Sequence, residues 1–163
     1  MMQEKLGIGV TYTLRQTLPS GEVRERVVTN LVPSEGLDYI LEAAILGGSQ
    51  ITQFFVGLID GVIVPGAASN MAAVDAVEFE GYAGAFRPLW DASKSVLSCT
   101  NAAAPAEYAL NADTDIKGVF LTSNTGENAS GLLLSLAVVS PVLTVVAGST
   151  LNVVASFAFT SSV

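Results

Sequence analysis

The chain has 163 residues, 15 of them acidic and 7 basic for a formal charge of −8, with one cysteine and no histidine. A chain of this length suits one domain that buries roughly 70% of its unfolded surface. The acidic balance disfavours free nucleic acid as a partner, and the missing histidine removes the commonest general base, the commonest zinc ligand and the Ser-His-Asp and Cys-His dyads.

Hydrophobic residues make up 50% of the chain and charged residues 13%, against a usual charged share of about 25%. From Asn128 to Val163 there is no charged side chain at all. That segment has to be packed away, inside the domain or against another subunit. The bases Lys5, Arg15, Arg24, Arg26, Arg87, Lys94 and Lys117 are scattered. Arg24 and Arg26 share a strand face, but Glu22 and Glu25 dilute them, which reads as a solvated face.

The chain opens as a hairpin over about residues 5–31. Leu6, Ile8, Val10, Tyr12 and Leu14 alternate with Gly7, Gly9, Thr11 and Thr13, a period of two that sets one apolar face on a core. Leu18-Pro19-Ser20-Gly21 is a turn, with Pro fixing φ and Gly accepting positive φ. A more polar strand follows from about Glu22 to Leu31. Gly7 and Gly9 weaken a lone strand but admit another backbone, which suits part of this hairpin to an interaction arm.

A helix is predicted over about residues 34–46. Ser34 is its expected cap, and the early acids suit the positive end of its dipole. Leu37, Ile40, Leu41 and Ala44 follow i, i+3, i+4, i+7 as the expected buried stripe, and Gly47-Gly48 ends it. Strands then dominate: about Gln53–Ile59, Val77–Pro88, Ser95–Thr100, Glu107–Asn111, Ile116–Ser123, Gly131–Val139 and Thr150–Phe159. A Gly/Ala/Ser/Asn-rich loop fills 60–70, with a short helix near Met71–Ala76. Turns are expected at Asp113–Asp115, Asn124–Gly126 and Ala147–Ser149. Together these predict a mainly β chain, a jelly-roll-like β-sandwich of about nine strands with one principal helix, in one domain over 1–163.

No catalytic, cofactor or metal site emerges from the residues. Cys99 follows Val96, Leu97 and Ser98 in an apolar strand and reads as a structural thiol. Glu78 and Glu80, with Asp75 close by, would share one strand face. A paired-carboxylate glycosidase needs acids converging from separate elements, so a solvated face is the expectation there. Asn111-Ala112-Asp113-Thr114-Asp115 starts like a calcium loop, but Ile116 stands where glycine is needed, Lys117 follows, and no glutamate closes it. Asn128-Ala129-Ser130 fits a glycosylation sequon in a chain whose N-terminal residues lack the apolar core of a signal peptide. Gly47-Gly48 and Gly81-Tyr82-Ala83-Gly84 lack the context of a phosphate loop. Tyr82, Phe86 and Trp90 recur at four-residue intervals, yet Pro88 disfavours helix there and no bases adjoin for nucleic-acid stacking; core or subunit contact is expected. The longest apolar run, Leu132 to Val146, is interrupted by Ser135, Ser140, Pro141 and Thr144, so no membrane span is expected.

Several blocks resemble small virion proteins of tailed bacteriophages. They are Asn30-Leu31-Val32-Pro33-Ser34-Glu35-Gly36-Leu37-Asp38-Tyr39-Ile40-Leu41, then Phe54-Phe55-Val56-Gly57-Leu58, and Glu80-Gly81-Tyr82 with Arg87-Pro88-Leu89-Trp90. Ile116-Lys117-Gly118-Val119-Phe120-Leu121-Thr122-Ser123 follows, and Val146-Ala147-Gly148-Ser149-Thr150-Leu151-Asn152-Val153 closes the series. The blocks keep their order over about residues 30–155. Ser149 stands where the pattern is more often acidic, and the N-terminal hairpin has no match. The resemblance implies a non-enzymatic capsid decoration (cement) protein on the capsid exterior, made in the host cytoplasm. Its implied partners are the major capsid protein and itself, as a homodimer or other homo-oligomer. A tail or tail-fibre sandwich that binds a receptor or glycan is the alternative, and a hydrolase built on carboxylates alone is a third. The first and last strands are the expected contact elements.

Overall fold

The computed structural model describes residues 5–162. In chain order its elements are β1 (Lys5–Thr17), β2 (Val23–Thr29), α1 (Ser34–Ala44), β3 (Phe55–Ile59), α2 (Met71–Asp75), β4 (Ser93–Lys94), β5 (Ser98–Thr100), β6 (Ala106–Ala109), β7 (Thr114–Thr122), β8 (Leu133–Val145) and β9 (Thr150–Ser162). One antiparallel sheet has six strands in the order β2-β1-β9-β5-β4, with β6 also on β9; the other has three, β3-β7-β8. The chain is mainly β, and its two sheets form a β-sandwich. No helix among the described residues is long and apolar enough to cross a membrane.

The N-terminal alternation does what its period dictates: Val10, Tyr12 and Leu14 are buried on the inner face. The hairpin turn closes through Gly21, at φ 86°, with Leu18 N–H donating to Glu22 O at 2.9 Å. β1 then pairs with β9 along its whole length, from Lys5↔Ser162 to Thr17↔Thr150. β2 takes its other side only over Thr11–Thr17, so the opposite backbone edge of residues 5–9 has no strand partner among the described residues. On the far side of β9, β6 pairs with Thr150–Val153 and β5 with Ser156–Ala158.

The uncharged C-terminal segment is packed within the domain. Leu151, Val153, Ala155 and Phe157 of β9 meet Leu134, Ala137, Val139, Leu143 and Val145 of β8 in one core with Val10, Tyr12 and Leu14. Each such aliphatic or aromatic side chain stabilises the fold by about 1.5–3 kcal/mol. The three-stranded sheet is apolar on both faces. Val56, Leu58, Val119 and Leu121 point into the main core. Ile59, Phe120, Leu133 and Leu136 form a second cluster closed by Met71 and Val74 of α2, which Asn70 caps by accepting from Ala73 N–H at 3.1 Å. This double burial explains the unbroken run Val119-Phe120-Leu121, since successive strand residues point to opposite faces.

Three local expectations are corrected. The segment expected as a strand over Val77–Pro88 is irregular and holds only isolated bridges, Ile59↔Glu78, Tyr82↔Leu110 and Phe86↔Gly126. Gly84, at φ 124°, breaks its period and turns the chain across the sheet end. β8, expected to stop at Val139, continues to Val145; its register jumps from Gly118↔Val138 to Ile116↔Leu143. The extra residues arch outward at the strand's exposed edge, where Pro141 needs no ladder donor and its carbonyl accepts from Arg26 Nε at 3.1 Å.

The helix is the third correction. Ser34 does not cap it: Pro33 occupies the cap position with no side-chain bond, and Glu35 Oε1 instead accepts from Leu133 N–H at 2.7 Å. Gly36 is the buried helix residue, with Tyr39 and Ile40 packed on the main core, while Leu37, Leu41 and Ala44 face out. A Cβ on Gly36 would sit 2.6 Å from Leu134 O. That backbone-to-backbone approach fixes the helix rotation and overrides the leucine stripe. The C-terminal stop is as expected, with Gly47 at φ 71° and Gly48 N–H on Glu42 O at 2.9 Å.

Candidate functional site

The densest polar chemistry lies beneath the irregular segment. Arg87 donates from Nε to Glu78 Oε1 at 2.7 Å and from Nη2 to Oε2 at 2.5 Å. Their side chains are 0% and 1% exposed, so the solvated face expected for Glu78 is wrong, although Glu80 is exposed. The remaining guanidinium hydrogens reach Asn124 O at 3.0 Å, Gly126 O, and Asn128 O at 3.5 Å. All five donors are thereby used, and the cation also lies 5.4 Å from the centroid of the Phe120 ring.

Tyr82 and Glu127 adjoin this pair. The Tyr82 hydroxyl donates to Glu127 Oε1 at 2.6 Å, and its ring packs edge-on to Tyr108, centroids 4.9 Å apart. Tyr108 in turn donates to Val56 O at 2.7 Å. Burial pushes both phenols above their ordinary range, and the Glu127 hydrogen bond adds to the shift at Tyr82. Burial also raises the Glu78 carboxyl, and the hydrogen bonds and charge of Arg87 draw it part of the way back. With both Glu78 oxygens and every Arg87 donor engaged, this cluster ties residues 78–90 to the 124–128 loop.

The other residues singled out in the sequence disperse. Cys99 is half-buried rather than enclosed, in an apolar cleft of about 250 Å³ with Leu97, Phe157 and Phe159. Asp113 Oδ1 accepts from Ala147 N–H at 2.7 Å and Asp115 Oδ1 from Thr144 Oγ1 at 2.6 Å, so both acids serve the neighbouring turn and β8. Among the described residues no three of His, Cys, Asp and Glu gather as a metal site. Asn128 Oδ1 accepts from Asn124 Nδ2 at 2.7 Å and Ser130 N–H at 3.0 Å, which uses the sequon side chain within its own loop. Of the four-spaced aromatics, Tyr82 is buried, Phe86 is 64% exposed, and Trp90 is half-buried with Nε1 on Ala155 O at 2.9 Å.

The conspicuous surface features are apolar. Leu41, Ile45 and Leu46 at the end of α1 are 57%, 73% and 76% exposed, and Val62, Val64, Val96 and Leu97 also stand out from their loops. The outward helix face was hidden in the sequence because Leu37 and Leu41 fit the period of a core stripe. The signal was present in Ile45 and Leu46, which extend the stripe beyond what one buried face needs. The Glu78–Arg87 pair had no signal, because its partners meet only through a chain reversal.

A scan against protein-family models finds no match, and no curated protein matches the chain.

Proposed function

We propose that this chain is a non-enzymatic structural protein of a bacteriophage virion. In this reading it is a capsid decoration protein with a jelly-roll-like body, lying on the shell exterior and held by contacts with the major capsid protein and with its own copies. The observation that carries the reading is the pairing of a low-charge β-sandwich with large unpartnered aliphatic side chains at Leu41, Ile45, Val64 and Val96. A surface of this kind is stabilised by being covered. The block resemblance supports it independently, and the charge of −8 suits a position away from packaged nucleic acid. Quantitative mass spectrometry of purified particles tests it. Many copies per shell, in fixed ratio to the capsid protein, are expected, and particles with none of the chain overturn it.

A tail-fibre role in glycan binding has one observation in its favour, the exposed ring of Phe86, since sugar faces pack on such rings. Binding to a glycan array that Phe86→Ala abolishes, together with a tail-like copy number, would favour this alternative.

A further inference from the structure

An amphipathic helix has one apolar face because it has one partner. α1 has two. Its inner face, Gly36, Tyr39 and Ile40, rests on β8 and the main core. Its outer face repeats at i, i+4 and i+8 with Leu37, Leu41 and the C-cap Ile45. The loop that carries the exposed Val62 and Val64 is tied to the helix start by Ser34 N–H on Ala67 O at 2.9 Å. Among the described residues, nothing covers that outer face.

Charge says what would cover it. At about 100° per residue, Asp38 and Glu42 follow Leu37 and Leu41 by one step and border the stripe along a single side. Both are exposed, and the helix has no base. The ion pairs among the described residues, Arg24–Glu22 and Arg87–Glu78, include neither acid. A second copy would present the same acids and carries its own charge of −8, so pairing like with like is opposed. We infer that the outer face of α1 seats in an apolar groove on a different protein, bordered on one side by lysine or arginine. This is helix-in-groove recognition with a one-sided electrostatic register. The inference deepens the structural role proposed above and rests on it for where the partner is found, in the assembled particle.

Photo-crosslinking of the full chain tests this. A benzophenone side chain replaces exposed Leu41, or exposed Ser20 of the β1–β2 turn as a control, and crosslinked peptides from purified particles are sequenced. Position 41 is expected to join a peptide of another protein that carries Lys or Arg beside apolar residues. The yield should fall at least tenfold in the Asp38→Lys/Glu42→Lys variant and decline with added salt, while circular dichroism stays unchanged. A crosslink from position 41 to this chain's own peptides, to a peptide without bases, or to nothing overturns the inference; so does a yield indifferent to charge reversal. If purified particles contain none of the chain, the virion role fails by itself. The same peptide signature and charge-reversal response, read in the producing cells, then decide the inference separately.

Discussion

Arg87 grips the carboxylate of Glu78 through two hydrogen bonds of 2.7 and 2.5 Å, with both side chains out of contact with water. Two ions in such a site are costly to bury and costlier to separate. Glu78→Gln strands a guanidinium charge and is expected to lose about 3–5 kcal/mol of stability. The pair replacement Glu78→Leu/Arg87→Met removes both charges and should lose much less than the sum of its singles. Urea unfolding of the four-member cycle reads the coupling directly.

The same arginine depends on a glycine of β3, the strand beside it, where Val56 N–H donates to Pro88 O at 2.9 Å. Gly57 of β3 lies opposite Phe120 of β7, and a Cβ there would come within 2.0 Å of the Phe120 ring. Gly57→Ala must therefore push that ring off its seat and disturb the guanidinium above it. A cost of about 1–3 kcal/mol is expected, as for other overpacked cores. Gly57→Ala/Phe120→Leu should be less destabilised than the two single losses added together. Strict additivity in chemical denaturation would show that the ring does not rest on Gly57.

The sandwich was legible because its signal is local. The alternation Val10, Tyr12, Leu14 and the turn at Pro19-Ser20-Gly21 each force one outcome, as does the run ending in Phe157 and Phe159. The uncharged segment could be told to be covered, but not whether by its own sheets or by a neighbour, since both remove apolar area from water equally well. The failures share a cause. Leu37, Ile40, Leu41 and Ala44 make a correct helical period, but Gly36 chooses which face turns inward, through a contact with Leu134 nearly a hundred residues later. Glu78 looked solvated because its cation arrives by a reversal at Gly84. The apolar count of α1 was the readable clue to a second, uncovered face, and it was spent on the core.

Three buried phenols set an alkaline limit. Tyr12, Tyr82 and Tyr108 are all raised above the ordinary value, with burial as the largest cause in each. The unfolded chain ionises such groups near pH 10, whereas the folded state holds them protonated. Their contribution is complete below pH 10 and is lost as pH climbs from there towards the folded-state values. Each tyrosine approaches a slope of about 1.4 kcal/mol per pH unit only above about pH 11, so between pH 10 and 11 the three together lose about 3 kcal/mol. Urea midpoints followed from pH 9 to 11 should drop steeply above 10, with tyrosinate absorbance rising alongside unfolding. Tyr12→Phe, which also gives up the hydroxyl contact to Ser135 between the sheets, should remove about a third of that loss.

The two faces of α1 should respond oppositely to substitution. Gly36→Ala places a methyl group 2.6 Å from the Leu134 carbonyl and 3.2 Å from that of Leu133, so the helix has to lift from β8. Lifting it loosens a chain of edge-on rings, Tyr39 to Phe54 at 5.9 Å and Phe54 to Trp90 at 6.4 Å, whose last member is hydrogen-bonded to Ala155 O. Trp90 is the only tryptophan in the chain, which makes its emission a direct report of that movement. Gly36→Ala is expected to shift the emission to the red and to cost about 1–3 kcal/mol, in the range for overpacking. Leu41→Asp, at a side chain 57% exposed, should leave the emission in place and stability within about 0.5 kcal/mol. A red shift from Leu41→Asp would mean that the outer stripe is needed by the fold itself, and α1 would then have no face to offer a partner.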